Sequence, residues 1–254
     1  MFGPWTPLAG FLTGFLLVFL LIRWINTHLQ GLFFLLGADE ESIIYLQFAL
    51  FFPGIFIHEL SHWLVAKLVG VRTIGFSVWP EKKGKGRVQY GSVRIAQTDF
   101  VRSSLIGLAP LVGASLLIIV IGRYALGTET LRLVVASGNW GALWSALSEA
   151  ARAPDFWLWL YLIFAISNAM FPSQADRESW KPLIIYAIIA GILVYLSGWK
   201  PALQSVPTIL AQIVNPLIYA FGITAAVDLF FAVAIGIVEI VVGRIRGKKV
   251  RYGA

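Results

Sequence analysis

The chain has 254 residues, of which 58% are hydrophobic and only 13% are charged, and its mean hydropathy is +0.79. This composition excludes a soluble globular domain, which would need far more charge on its surface. The formal net charge of +7 is typical of membrane proteins with basic cytoplasmic loops, so no nucleic-acid partner is expected. The absence of Cys excludes disulfides, thiolate metal sites and a cysteine nucleophile.

Six apolar segments predict an all-α polytopic membrane protein that forms a single domain over residues 1–254. The first segment has no basic leader and no obvious cleavage site, so we expect it to be a retained span. Residues 206–218 are either an interfacial helix or an extension of the last span, and residues 123–155 contain amphipathic pieces. The predicted spans are residues 8–30, 42–70, 101–122, 156–173, 183–198 and 219–243.

A polar stretch between the second and third predicted spans, residues 71–99, predicts a small β-hairpin. Two strand-like arms, Val71 to Pro80 and Arg87 to Gln97, flank a turn rich in Gly and Lys at Glu81 to Gly86. The apolar residues of the second arm alternate with one slip, at Gly91. We expect the hairpin to lie against the cytoplasmic membrane face, where an exposed edge strand could pair with an unwound substrate.

Basic residues indicate the orientation of the chain, since cytoplasmic loops carry an excess of Lys and Arg. Placing the hairpin, the loop after the fourth span and the tail inside the cell predicts that both termini are cytoplasmic. The compact chain without targeting signals favours a prokaryotic plasma membrane. These basic residues are Arg72, Lys82, Lys83, Lys85, Arg87 and Arg94 in the hairpin, Arg177 and Lys181 in the loop, and Arg244, Arg246, Lys248, Lys249 and Arg251 in the tail.

The second predicted span contains the pentapeptide His-Glu-Leu-Ser-His, from His58 to His62. Residues four apart share one helix face, so both His side chains can bind one Zn²⁺. Zinc lowers the pKa of a coordinated water to about 7, and Glu59 can take and return its proton. Burying such groups in a bilayer costs on the order of 3 kcal/mol each, which favours a function. The alternative is a polar cluster that joins helices by hydrogen bonds.

Catalytic zinc needs a third protein ligand and one open position. Asp176 is the favoured candidate because it follows Pro172 at the inner end of the fourth span, at the depth expected for the two His side chains. Glu178 is the fallback. His28, the third His of the chain, is expected near the opposite side of the membrane.

A family resemblance covers residues 43–180. The segment from Ile55 to Gly70 has the pattern Ile-x-x-His-Glu-x-x-His-x-x-x-Ala-x-x-x-Gly, which resembles the first signature of the site-2 protease family of intramembrane metalloproteases. The Ala-Pro-Leu triplet at 109–111 is similar to the small-residue-plus-Pro element of that family. The segment from Asn168 to Asp176 resembles its Asn-Pro-Asp signature, in the family's order along the chain.

The resemblance implies a zinc metalloendopeptidase that cleaves membrane-spanning protein substrates after they unwind locally. His58, His62 and Asp176 would then bind Zn²⁺, and Glu59 would activate water. The resemblance also implies that Asn168 hydrogen-bonds the substrate backbone or the developing oxyanion. Water would reach the buried site through a polar channel from the cytoplasmic side.

Two alternatives to a protease rest on other features of the sequence. Asn168, Pro172 and Asp176 are spaced by four and four positions instead of the family's three and five, which favours a non-proteolytic relative with a binding or regulatory role. An ion transporter would use further intramembrane acids, and Asp228 and Glu239 lie in the sixth predicted span. We expect these two acids to gate access or pair with another helix, outside the zinc site.

Overall fold

A computed structural model describes residues 5–83, 87–153, 155–198 and 200–252 of the chain. The fold is an all-α, multi-pass membrane architecture with one two-stranded antiparallel hairpin between the second and third helices. The elements are α1 (Thr6–Leu36), α2 (Glu40–Leu68), β1 (Thr73–Lys83), β2 (Arg87–Ile95), α3 (Phe100–Tyr124), α4 (Thr128–Ala136), α5 (Trp140–Ala150), α6 (Phe156–Ala169), α7 (Gln174–Leu196) and α8 (Lys200–Arg246).

Five helices of the described residues, namely α1, α2, α3, α7 and α8, are long and apolar enough to cross a membrane. The predicted fourth span is instead the 14-residue helix α6, about 21 Å long and too short for a hydrocarbon core of about 30 Å. It ends early because Pro172 lacks the N–H that a continuing helix needs, and Ser173 then caps the next helix. The predicted last span is part of α8, so residues 206–218 extend that span.

Helices α6 and α7 together make one traverse of the bundle. Helix α6 runs parallel to α2, since Tyr161 donates to the carbonyl oxygen of Leu50 at 2.9 Å and the last residue of α6 contacts His58. Helix α7 then continues in the same direction along α3, where the Ser104 hydroxyl donates to the carbonyl oxygen of Ser179 at 2.6 Å. Two predicted crossings are therefore replaced by one.

Helix α8 lies parallel to α1 over most of the length of α1. A Cβ atom added at Gly10 would lie 3.3 Å from Ile218, and the Arg246 guanidinium donates to the carbonyl oxygen of Leu36 at 3.2 Å. Small residues such as Gly10 allow this close helix packing in a membrane. The first described residues lie at one end of α1, and Tyr252 lies near His28 toward its other end, an arrangement that does not support the prediction that both termini face the cytoplasm. That prediction counted six crossings, whereas α6 and α7 share one.

The predicted hairpin is confirmed, with pairing from Thr73 opposite Ile95 to Lys83 opposite Arg87. The slip at Gly91 is confirmed as well, because Gly91 has a positive φ of 79° and the strand register shifts beside it. Such a bulge bends the strand and increases its twist. The tip of the predicted turn, residues 84–86, lies outside the described residues.

The hairpin packs along α2. The Tyr90 hydroxyl donates to Oε1 of Gln47 at 3.3 Å, and the ring centroids of Trp79 and Phe48 are 5.4 Å apart. Gln47 and Phe48 belong to the first third of α2. Tyr90 is partly buried in this position, which favours it, whereas Trp79 remains 65% exposed.

Candidate metal centre

Helix α2 presents His58 and His62 on one face, as the spacing predicts. Their Nε2 atoms lie 3.2 Å apart and their ring centroids 4.8 Å apart. Pro53 lies within α2 without ending it. A Cβ at Gly54 would overlap the backbone of Ala165, so this glycine lets α6 approach α2 closely enough to reach the site.

The orientation of His62 depends on a proline in the neighbouring helix. Nδ1 of His62 lies 2.8 Å from the carbonyl oxygen of Ile106 in α3. In a regular helix that carbonyl would accept the backbone N–H four residues later, but residue 110 is Pro and has no N–H. Pro110 therefore leaves the Ile106 oxygen free to accept the Nδ1 hydrogen of His62.

His58 is oriented by a carbonyl at a helix end. Its Nδ1 lies 2.7 Å from the carbonyl oxygen of Ala169, the last residue of α6, where helix carbonyls have no intrahelical partner. A carbonyl oxygen can only accept, so Nδ1 of each His carries a hydrogen, and Nε2 is the nitrogen that faces the other two side chains. Metal-binding His side chains are commonly fixed in this way through the other ring nitrogen.

Asp176 completes the group from the first turn of α7. Its Oδ1 lies 3.2 Å from Nε2 of His62, and its Oδ2 lies 3.7 Å from Nε2 of His58. Asp176 and Ser173 form a reciprocal capping box, in which the Ser173 backbone N–H and hydroxyl donate to Oδ2 at 2.8 and 2.6 Å. This cap fixes the carboxylate at a helix N-terminus, where negative charge is favoured.

The three side chains fit a zinc ion. Two imidazole nitrogens and a carboxylate oxygen converge within 4.8 Å of one another, an arrangement that a metal ion or a shared proton would stabilise. Tetrahedral zinc with bonds of about 2.0–2.1 Å separates its ligand atoms by about 3.3 Å. The two Nε2 atoms lie 3.2 Å apart, and Oδ1 of Asp176 lies 3.2 Å from Nε2 of His62, which is close to that spacing. The distance of 3.7 Å to Nε2 of His58 is from the other carboxylate oxygen, Oδ2.

Glu59 lies beside this group and is 4% exposed. It packs against Gly91 of the hairpin so closely that a Cβ there would lie 2.7 Å from Cγ and Oε1 of the carboxylate. Both residues line a cavity of about 790 Å³. The cavity lies between β2 and helices α2, α3, α6 and α7, and it includes His58, His62, Asn168, Asp176 and Glu178.

Asn168 lines the cavity, but its amide nitrogen is already engaged. Nδ2 donates to the carbonyl oxygen of Phe164 at 2.8 Å and lies 3.5 Å from Oδ1 of Asp228. The Oδ1 atom of Asn168 is buried without a partner in the described residues. The amide nitrogen is therefore not free to donate to an oxyanion, the second of the two roles that the resemblance implies for Asn168.

The remaining candidates lie outside the metal group. His28 is not near it, since its Nδ1 lies 2.6 Å from Oε2 of Glu239 at the far end of α2 from the site. Glu239 therefore pairs with another helix, one of the two roles expected for it. Asp228 is fully buried and contacts Ser167 of α6. Glu178 lines the cavity without joining the three ligands.

Three contributions to the site were missed in the sequence. Ser173 precedes Asp176 by three positions, and this Ser-x-x-Asp spacing is a readable capping signal. The alternation slip identified Gly91 but gave no indication that it contacts Glu59. The carbonyl oxygens of Ile106 and Ala169 belong to the main chain, so their roles carry no signal in side-chain chemistry.

Comparisons with known proteins add no relative: no protein-family model, no curated protein and no solved structure matches the chain significantly.

Proposed function

We propose that this membrane protein is an intramembrane zinc metalloprotease of the site-2 protease type. The observation that carries the proposal is the convergence of two oriented imidazole nitrogens and a capped carboxylate, with buried Glu59 beside them. His58, His62 and Asp176 would hold the metal. Bound zinc would supply a Lewis acid that polarises a carbonyl and makes water acidic enough to ionise near neutral pH.

Glu59 is the general base and then the general acid of the proposed reaction. It takes a proton from water as the water oxygen adds to the carbonyl carbon of the scissile peptide. It returns that proton to the departing nitrogen as the carbon–nitrogen bond breaks. The products are a carboxylate and an amine. Contact with Gly91 limits the movement of the Glu59 carboxylate. A carboxylate that is already positioned loses less conformational entropy when the transition state forms, which favours catalysis.

A substrate in the cavity would lie in contact with β2, since six consecutive residues of that strand, 88–93, line the cavity. A strand of a two-stranded sheet has one unpaired edge, which can hydrogen-bond an extended segment. Membrane helices must unwind before a protease can reach their backbone carbonyls, and strand pairing replaces the hydrogen bonds lost. The proposed substrate is therefore a membrane-spanning segment bound in extended form.

Zinc analysis of the detergent-purified protein tests the metal site. Wild type is expected to contain about one zinc per chain, and His58→Ala and Asp176→Ala are expected to lose it. Glu178→Gln is the matched control and should keep it. A wild-type protein that contains no zinc, even after zinc is resupplied, would overturn the proposal. If only His58→Ala loses zinc, Asp176 is not the third ligand.

Cleavage of dye-quenched β-casein, an unstructured probe protein, tests the reaction. Glu59→Gln keeps the shape of the side chain but cannot take a proton, so it should retain zinc and lose at least 100-fold in rate. Zinc-loaded wild type that cleaves neither casein nor a reconstituted membrane segment favours the non-proteolytic alternative.

A further inference from the structure

The cavity that holds the candidate metal group extends far beyond it. Gln47 and Tyr90 line its other end. Gln47 precedes His58 by eleven positions on α2, which is about 16 Å along the helix axis. The Tyr90 side chain follows the cavity between the two ends, since its hydroxyl reaches Gln47 while the adjacent Gly91 contacts Glu59. The cavity therefore has a polar end that the proposed reaction does not use.

Gln47 is buried in a membrane-spanning helix, with 4% of its surface exposed. Its hydrogen bonds are long: Oε1 accepts from Nε2 of Gln30 and from the Tyr90 hydroxyl at 3.3 Å each, and Nε2 donates to the carbonyl oxygen of Asn26 at 3.4 Å. Good hydrogen bonds of these types measure about 2.5–3.2 Å. Among the described residues, Nε2 also uses only one of its two hydrogens. A buried amide with such weak partners is costly in a membrane, which makes it a candidate for function.

These contacts also join α1, α2 and β2, which is the ordinary use of an amide between membrane helices. That use needs short hydrogen bonds and no opening to a cavity. Gln47 has long hydrogen bonds and lines the cavity. Gln30, its partner in α1, is exposed and is not among the described residues that line the cavity. Of this pair, only Gln47 is placed to meet a bound segment.

We propose that Gln47 is a specificity residue that binds an amide side chain, Asn or Gln, of the substrate segment about five residues from the scissile peptide. The inference rests on the proposed protease function and refines it by naming the substrate class. A second amide provides both an acceptor for the unused N–H of Gln47 and a donor to its oxygen. Such a side chain has no water to bond in lipid, so pairing in the cavity favours binding. An extended strand advances about 3.3 Å per residue, so about five residues cover the distance of about 16 Å between Gln47 and His58.

Cleavage mapping tests this spacing. The probes are synthetic membrane-spanning peptides of Leu and Ala that carry one Asn, which is moved one position at a time. Mass spectrometry locates each cut made by the zinc-loaded, detergent-purified protein, and the cut should stay about five residues from the Asn. Peptides with Gly in place of Asn are the control, because Gly loosens a helix without offering an amide. A wild-type cut site that ignores the Asn, or that follows Gly equally well, overturns the proposal.

Gln47→Met removes the amide and keeps the length of the side chain. The cut site should no longer follow the Asn, and kcat/KM for the Asn peptide should fall about tenfold, the effect of losing one or two hydrogen bonds. Zinc content, and kcat/KM for a peptide of Leu and Ala alone, should change less than twofold. Gln30→Met is the matched control, because it removes the same contact between α1 and α2 and leaves the Gln47 amide in place. Equal effects of the two substitutions overturn the recognition role.

Gln47→Asn provides a second variant that keeps a polar group at the site. Its amide is one methylene shorter, so this variant should prefer a peptide that carries the longer Gln over one that carries Asn. A folding defect does not produce such a reversal of preference. The same order of the two peptides as in wild type overturns direct pairing with Gln47.

A binding measurement separates this inference from the protease proposal. Glu59→Gln is expected not to cleave, so fluorescence polarisation with dye-labelled peptides reports affinity alone. The Asn peptide should bind Glu59→Gln about tenfold more tightly than the peptide of Leu and Ala alone, and adding Gln47→Met should abolish the difference. Selective binding, with a zinc-loaded wild type that cleaves no peptide, retains the Gln47 subsite and rejects the protease. Cleavage with equal affinity for both peptides retains the protease and rejects the subsite.

Discussion

Pro110 and His62 are joined through one carbonyl oxygen, that of Ile106, which the proline leaves free and the imidazole Nδ1 approaches to 2.8 Å. The proline thus acts on the metal site without touching it. A missing backbone N–H in α3 creates the acceptor that fixes the tautomer and direction of a ligand in α2.

Pro110→Ala should weaken zinc binding about 10- to 100-fold, the usual effect of losing a ligand's outer hydrogen-bond partner. The new N–H of residue 110 would bond the Ile106 oxygen and compete with His62. Competition with a chromophoric chelator measures the affinity. Leu111→Ala, which removes a neighbouring buried side chain without supplying an N–H there, is the control and should keep wild-type affinity. An equal loss of zinc affinity in both variants would show that the packing of α3, and not the free Ile106 carbonyl, supports zinc binding.

Gly91→Ala should lower the cleavage rate at least tenfold while zinc content stays constant. Its φ of +79° is strained for Ala, and the added Cβ would lie 2.7 Å from the Glu59 side chain. Gly75→Ala in the paired strand is the control, because its Cβ would meet the mobile guanidinium of Arg94 at 3.2 Å and its φ is not positive. Activity unchanged in Gly91→Ala would show that Glu59 does not need its observed position.

Ser173→Ala should reduce zinc affinity about tenfold and destabilise the start of α7 by about 1 kcal/mol. The substitution removes the hydroxyl that donates to Oδ2 of Asp176 at 2.6 Å. Asn139→Ala is the matched control. It removes the Asn139 side chain, which caps α5 by accepting a hydrogen bond from the Ala142 N–H, far from the metal group. Zinc titration measures the affinity of both variants. The same affinity in both would show that the Ser173 cap does not contribute to zinc binding.

Tyr252→Phe should expose the C-terminal segment without changing zinc content. Its hydroxyl donates to Oε1 of Glu239 at 2.6 Å, a contact worth about 1 kcal/mol, so trypsin should cleave after Lys248 or Lys249 about fivefold faster. Tyr124→Phe, at an 86% exposed tyrosine, should change nothing.

The same contact predicts a pH dependence of the tail. Burial and the Glu239 carboxylate raise the pKa of Tyr252 above its usual value of 10.0, so the neutral phenol is the bound form. The stabilisation is complete below pH 10 and decreases as the pH rises further. Tryptic cleavage of wild type, measured relative to that of Tyr252→Phe at the same pH, should therefore accelerate only above that pH, and a relative acceleration between pH 7 and 9 would contradict this assignment.

Local patterns in the sequence predicted most of the fold and the grouping of His58, His62 and Asp176. The i, i+4 spacing placed His58 and His62 on one helix face, and the strand alternation located the hairpin and its slip at Gly91. These features depend on neighbours in the chain. The end of α6 and the fold-back of the hairpin along α2 depend on packing between distant segments, so hydropathy alone assigned one crossing too many.

The three ligands of the candidate metal site and their carbonyl anchors are spread over residues 58 to 176. A growing chain on the ribosome contains both His side chains well before it contains the anchor at Ala169 or the third ligand. In the proposed protease, metal binding by all three residues would therefore follow synthesis of α7, because a chain that ends in α6 lacks Asp176. The order of synthesis would thus delay the hydrolytic activity of the proposed protease until α7 is in place.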